Sequence, residues 1–230
     1  MTNSAAATSL ILSCSPRPHG NCDDAAALFK AALDSSPGMQ ANSLLYLRDY
    51  HVSSCTGCDA CEQWATSFLE TEHDFELSTE QGHAFLGCPL SMSDDSRMIV
   101  QTLATAKNLC IISPIYFYHL PSPLKALLDR LQPFWNLGQK RPSVYSADRQ
   151  CKVILLGARK RGESLFSGSI LTLQYALQPL GFKLFTPLLL HDLDGPKDLA
   201  AADEKRQRIT AYAKETPVVL GQNNGSPSRQ

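Results

Sequence analysis

The chain has 230 residues, 43% hydrophobic and 19% charged, enough for one core-forming domain with room for an insertion. Its 21 Lys+Arg against 22 Asp+Glu, a net charge of −1, lack the basic footprint that binding a nucleic-acid backbone requires. No apolar run nears the ~18 residues of a membrane span. The opening MTNSAAATSLILSC has no basic secretory n-region, so the expectation is a cytoplasmic protein with no membrane or nucleic-acid partner.

The apolar run at residues 9–13 (SLILS) predicts a buried strand, followed by a turn-rich loop over 14–22. Ala25, Ala26, Leu28, Phe29, Ala32 and Leu33 then recur at helical spacing, with Asn21 or Asp23 as candidate cap. A second strand is expected at 43–47. Residues 55–92 hold a cysteine cluster and a polar, Glu-rich stretch and read as an insertion, containing one helix and a loop. A helix over 94–106 carries Met98, Ile99, Leu103 and Ala104 on one side. Residues 109–115 (LCIISPI) predict the third strand. Pro121 suits the first turn of a helix whose apolar face is Leu124, Leu127, Leu128, Leu131, Phe134 and Trp135. The remaining elements are a strand at 153–156, a helix at 165–180 closed by Gly181, a fifth strand at 182–190 and a helix at 197–213. Residues 1–216 thus read as one domain and 217–230 as a flexible tail.

Short apolar strands without alternation, each followed by a helix, indicate strands buried on both faces of a parallel sheet. The fold class is α/β, doubly wound and five-stranded, and the order 2-1-3-4-5 fits five such units. Ligands bind such sheets beyond the carboxyl ends of the strands, at the switch between strands one and three. Loops 14–22 and 114–121 lie there.

The first loop has neither the G-x-G-x-x-G dinucleotide fingerprint nor a P-loop. It still offers what a phosphate needs: the hydroxyls of Ser13 and Ser15, the Asn21 amide, close approach at Gly20, Arg17, and the free N–H groups of the following helix. The same residue types also fill ordinary turns. Cys110 and Cys151 suit packing as small hydrophobes. Cys55-x2-Cys58-x2-Cys61 is a tight trio whose thiolates can converge on one metal, with Gly57 easing the turn. No Ser/His/Asp set or H-E-x-x-H motif supports hydrolysis.

Four stretches resemble the flavodoxin-like, FMN-dependent NAD(P)H oxidoreductases, the group that includes the NADPH-dependent FMN reductases and the iron-sulfur flavoproteins. Ser15-Pro16-Arg17-Pro18-His19-Gly20-Asn21 is similar to their phosphate loop, with Cys22 where the family usually has Thr and Cys14 where it commonly has Gly. Pro114-Ile115-Tyr116-Phe117-Tyr118 precedes a Pro121-Ser122-Pro123-Leu124-Lys125 helix start, as in the family. C-x-G-C-x-x-C stands at Cys55–Cys61, and Cys88 is followed by Asp94-Asp95. The matches keep the family's order and span roughly residues 8–132.

The resemblance implies FMN, its phosphate on Ser15, Arg17, Gly20, Asn21 and the backbone N–H of Cys22, and its ring against Pro114, Ile115, Tyr116, Phe117 and Tyr118. It implies NAD(P)H as co-substrate, a quinone, flavin or other small acceptor, and a homodimer or homotetramer. No catalytic side chain is named, because the flavin carries the chemistry. The aromatic stretch can equally pack in a core or an interface. For the cysteines three readings stay open: a [4Fe-4S] cluster on Cys55, Cys58, Cys61 and Cys88, a zinc on the same residues, or no metal at all. The family's fourth cysteine follows within a few residues, whereas Cys88 is separated from Cys61 by 26 residues. The cluster reading makes the chain an electron carrier serving a ferredoxin-like partner. The zinc reading, or a redox-active pair, makes it a non-enzymatic binding protein. The basic run Arg159-Lys160-Arg161 after strand four is expected to be a solvated loop in preference to a contact for NADPH phosphates.

Overall fold

Three apolar runs set the centre of the sheet: Ser9–Ser13 (β1), Asn108–Pro114 (β3) and Arg149–Leu156 (β4). In this computed structural model the described residues are 9–35, 42–70, 87–140, 149–162, 164–216 and 218–220. Asn42–Tyr46 (β2) pairs with β1 on its outer side and Phe182–Leu184 (β5) with β4 at the far edge, and all these ladders are parallel, in the order β2-β1-β3-β4-β5.

Alternate residues of each central strand serve opposite faces, and both faces are covered. Leu10, Leu12, Leu109, Ile111, Val153 and Leu155 pack beneath Ser96–Thr105 (α3), Ser122–Asp129 (α4), Gln132–Lys140 (α5) and Ser167–Leu177 (α6). Ile11, Cys110, Ile112, Ile154 and Leu156 pack against Asn21–Asp34 (α1) and Asp203–Lys214 (α7). This two-sided burial is why the strands read as continuous apolar runs. Cys110 and Cys151 are buried within it, and burial pushes both thiols up.

Several expectations need correction. The fifth strand is two short pieces, Phe182–Leu184 (β5) and Leu188–Leu190 (β6), which pair with opposite ends of β4. Residues 218–220 bond at the break between them, with Thr186 N–H to Val218 O (2.8 Å) and Leu220 N–H to Leu184 O (2.8 Å). The helix opened by Pro121 breaks at Arg130, whose N–H is shared by Ala126 O and Leu127 O, and resumes as α5. Trp135 and Met98, assigned to apolar faces, are exposed. The last helix starts at Asp203, after turns over 195–202. Gly181 does close the α6 region, with φ +76. Ala60–Glu70 (α2) is the helix of the cysteine segment, and the Glu-rich remainder up to residue 86 lies outside the described residues.

Two cations on β4 tie the helices to one end of the sheet. Arg149, buried and stacked 4.0 Å from the Phe182 ring, donates to Ala106 O (2.9 and 2.7 Å), to Leu180 O (2.6 Å) and to Leu103 O. Lys152 Nζ donates to Tyr212 O, Ala213 O and Glu215 O at 2.9, 2.8 and 2.6 Å, where α7 ends. Arg149→Met leaves three carbonyls without their donor. It is expected to lower the unfolding free energy by about 3 kcal/mol, read as a lower urea midpoint at unchanged m-value.

Candidate functional site

At the carboxyl end of the sheet, where the chain leaves the paired strands β1 and β3 for helices on opposite faces, a pocket of about 220 Å³ opens. It is lined by Ser15, Arg17, Gly20, Asn21 and Cys22 from the first loop and by Pro114, Ile115 and Tyr116 from the end of β3. Leu156 at the end of β4, Ala158 just after it, and Leu193 and Asp194 after β6 complete it. The last four escaped sequence reasoning. Their signal was position alone, just past the carboxyl ends of strands beside the switch point.

The first loop is held by its own side chains. Ser15 Oγ accepts the Arg17 N–H (3.1 Å) and donates to Arg17 O (3.3 Å), a local turn. Asp23, buried in the first turn of α1, accepts the Ser13 hydroxyl (3.1 Å), the His19 N–H (2.7 Å) and Arg48 Nη1 (2.9 Å). The bond to His19 holds that residue in the left-handed region, φ +55. Ser13 is therefore spent on Asp23, and Asp23 is a brace in place of a cap. Asn21 is not a cap either. It is the first helical residue, its Nδ2 donating to Gly195 O (2.8 Å) and its Oδ1 accepting the Leu199 N–H (3.0 Å). Its side chain pins the 195–199 turns and its backbone faces the pocket.

The N–H groups of Asp23 and Asp24 both bond Gly20 O (3.0 and 3.1 Å). Those of Asn21 and Cys22 have no intrahelical partner, as at any helix start. Two open N–H groups, Arg17 and the closely approachable Gly20 make a cradle for a phosphate. Cys22 brings only its backbone. Burial, then the charge of Asp23, push its thiol up to about 12, so it stays protonated. The donor set fits an FMN phosphate, and Pro114, Ile115 and Tyr116 give the apolar edge a flat ring needs.

Phe117 and Tyr118 stand outside this pocket. They are the central residues of a tight turn closed by Tyr116 N–H to His119 O (2.9 Å) and His119 N–H to Tyr116 O (3.0 Å). Both have positive φ, +49 and +63, a conformation that costs a side-chain-bearing residue about 1–2 kcal/mol. Phe117 is fully exposed at the tip, and Tyr118 turns its ring toward the Arg159 guanidinium, 5.2 Å away.

The cysteine segment forms a second cavity, of about 250 Å³, lined by Cys55, Cys58, Cys61 and Cys88 with Arg130 and Asn136. Gly57, φ +66, makes the turn between the first two. Three sulfurs accept N–H donors: Cys55 from Gly57 N–H (3.4 Å), Cys61 from Asn136 Nδ2 (3.3 Å) and Cys88 from Arg130 Nε (3.2 Å). Burial raises the Cys61 thiol, and the neighbouring Cys88 and Cys55 add to this. Among the described residues no three such side chains converge to hold a metal ion. As placed, the four thiols share a cavity without forming a centre. His51, beside it, is exposed; His73 and His83 lie outside the described residues.

Arg130 is the strut of this region. Its buried guanidinium also donates to Ser53 O (3.0 Å), Ser96 Oγ (2.8 Å) and Asp94 Oδ2 (2.7 Å). Burial alone would raise the Asp94 carboxyl. The Ser96 hydroxyl, Arg130 and the N–H groups of Ser53 and Ser96 outweigh burial and hold it far below the carboxylate range. A depressed carboxylate contributes stability above its unfolded pKa, about 3.9, and loses it as pH falls toward the folded value. Asp94→Asn is therefore expected to cost about 3 kcal/mol at pH 7 and to flatten the fall in stability between pH 4 and lower values, measured by urea unfolding across pH.

An open, doubly wound parallel sheet in this strand order is the flavodoxin-like fold. The NADPH-dependent FMN reductase family model matches residues 8–146, and the chain belongs to that family. An iron-sulfur flavoprotein of Methanocaldococcus jannaschii is 28% identical over 153 residues, which cover 66% of this chain and 62% of that protein. A flavone reductase structure superposes with a TM-score of 0.58 at 10% identity, covering 90% of this chain and 61% of that one. The NAD(P)H:quinone oxidoreductase from Methanothermobacter marburgensis gives 0.59 at 14% identity, covering 91% and 96%. The chain thus spans about three fifths of the length of the first two. The two structural likenesses establish the shared fold. No described helix is long and apolar enough to cross a membrane.

Proposed function

We propose that this chain is an FMN-dependent NAD(P)H oxidoreductase that passes electrons to a small acceptor such as a quinone or a free flavin. The observation that carries the reading is the pocket at the β1/β3 switch, which joins the open N–H groups of Asn21 and Cys22 to the apolar edge of Pro114, Ile115 and Tyr116. FMN, when bound, supplies the capacity to take hydride from a nicotinamide and hand electrons on. The chain's own residues bind and orient. Arg17 and the helix start neutralise the phosphate, Ser15 keeps the loop shaped, and Asp23 with Asn21 keep the loop and the 195–199 turns in place. Pro114, Ile115 and Tyr116 exclude water from one side of the ring.

Negative charge placed in the cradle opposes the phosphate directly. Ser15→Asp with Arg17→Glu is expected to weaken FMN binding by about 3 kcal/mol, measured by fluorescence quenching as FMN is titrated into flavin-free protein. Unchanged affinity with the fold intact removes the phosphate from this loop.

The second reading is an iron-sulfur flavoprotein that passes single electrons between a ferredoxin-like partner and FMN. It is favoured by four cysteines on one cavity, three with N–H donors on sulfur, and by the name of the archaeal relative. It requires Cys55, Cys58, Cys61 and Cys88 to close on a metal, which they do not do as placed. Anaerobic purification followed by an absorption spectrum with iron, zinc and FMN analysis separates the readings. Flavin bands without iron are the expected result. A broad brown absorbance with about four irons per chain replaces the first reading by the second. Zinc without flavin overturns both in favour of a zinc-binding protein.

A further inference from the structure

We infer that Cys61 and Cys88 form a redox dithiol that closes to a disulfide by exchange with a small cationic disulfide entering the cavity they share. The assignment goes beyond the oxidoreductase reading and does not depend on the flavin.

Two of the four cysteines on this cavity are placed differently from the others. Cys55 and Cys58 are exposed, whereas Cys61 and Cys88 are half-buried. Cys61 lies in the first turn of α2, and Trp64 stands one turn further on. The backbone of Gly87, at φ +67, passes so close to the Trp64 ring that a Cβ there would lie 2.9 Å from three ring carbons. That contact brings the next residue, Cys88, onto the cavity that Cys61 also lines. Cys88 is the foremost of the thiols that act electrostatically on Cys61, ahead of Cys55. Each of the two sulfurs is also held from the α4–α5 corner, Cys61 by Asn136 Nδ2 (3.3 Å) and Cys88 by Arg130 Nε (3.2 Å).

The Arg130 guanidinium assigns the roles. A cation donating to sulfur favours the thiolate, the form that attacks a disulfide. Cys88 is thus the attacking sulfur, and Cys61, whose donor is a neutral amide, is the resolving one. In the first step the Cys88 sulfur bonds one sulfur of R–S–S–R, the S–S bond breaks, and the Cys88 proton leaves with the released R–S–H. In the second the Cys61 sulfur bonds the Cys88 sulfur, and the other R–S–H leaves with the Cys61 proton. The two protein thiols lose two electrons, which the small disulfide gains. The cavity, of about 250 Å³, suits a small molecule. It is lined by Asp59, Glu62 and Asp129, while the one cation among its described lining residues, Arg130, is paired with Asp94. Asp129 is balanced by Lys125, but Asp59 and Glu62 are exposed and, among the described residues, in no ion pair. That excess of carboxylate draws in a cationic disulfide and repels an anionic one.

The test treats the full chain, purified without oxygen, with cystamine, a dication, or with dithiodipropionate, a dianion of similar length. The protein is then alkylated, digested and mapped by mass spectrometry, with iron measured on the same sample. Cystamine should yield a peptide cross-linked through Cys61 and Cys88, reversed by dithiothreitol. With each rate divided by that for β-mercaptoethanol, cystamine should react about tenfold faster than dithiodipropionate at low salt, the gap narrowing as salt rises. In Cys61→Ser the reaction should stop at a mixed disulfide, formed at Cys88 faster than at the more exposed Cys55 and Cys58. Cys88→Ser should give no cross-link to Cys61. Asp59→Asn/Glu62→Gln, at two exposed positions, should narrow the preference between the reagents. A cross-link between other cysteines, a Cys88 that reacts no faster than Cys55 or Cys58, equal normalised rates for the two reagents, or about four irons per chain overturns the proposal.

Discussion

A single buried carboxylate shapes the candidate site. Asp23 receives the end of β1 through Ser13, the middle of the loop through His19 N–H and the turn after β2 through Arg48. Three segments distant in sequence are thereby fixed to the first turn of α1, and the left-handed backbone at His19 is compensated by a short hydrogen bond. Asn21, one turn face away, performs the same service for the 195–199 turns. The side chains that look most like ligands at this helix start are mostly scaffold, and what is left open to an anion is backbone N–H groups with Arg17 beside them. Preorganisation of this kind means that binding need not order the loop.

Arg130 does for the cysteine cavity what Asp23 does for the pocket. Its buried guanidinium reaches Asp94, Ser96, Ser53 and Cys88 at once from the end of α4, where Pro133, with no N–H for Asp129 O, stops the helix from running on. The cavity is thereby coupled to α3 and α4, whose other sides pack on the sheet. The two cavities are thus parts of one packed body, although only one of them lies at the strand ends.

The periodicities that report burial were legible in the sequence. Strands β1, β3 and β4, helix α1 and the sheet order follow from apolar runs that two covered faces demand. What escaped depends on partners far along the chain. Asn21 and Leu199 are 178 residues apart, and no local pattern distinguishes a capping Asn from one that reaches across the fold. The split of the fifth strand, by contrast, had a local signal that was passed over: Pro187 stands in the gap without an N–H for the ladder, and residues 218–220 bond at the break. Met98 and Trp135 fit their helical stripes but fall at the solvent edge, because spacing gives a face and not its width. Ser15, Arg17, Gly20, Asn21, Cys22, Pro114, Ile115 and Tyr116 do meet at one pocket, as loops beyond adjacent strand ends must. Phe117 and Tyr118 leave it because their turn bends the chain away.

The cations of β4 give the molecule an electrical polarity. Arg149 and Lys152 occupy the carbonyl ends of α3, of the turn after α6 and of α7. The negative poles of those segments are therefore neutralised internally. At the other end of the sheet the positive pole of α1 faces an open pocket. A chain with a net charge of only −1 can in this way present a local attraction for anions at one end without being basic overall. An anion placed at that end would meet backbone partial charges, which substitutions of surface charges elsewhere leave where they are.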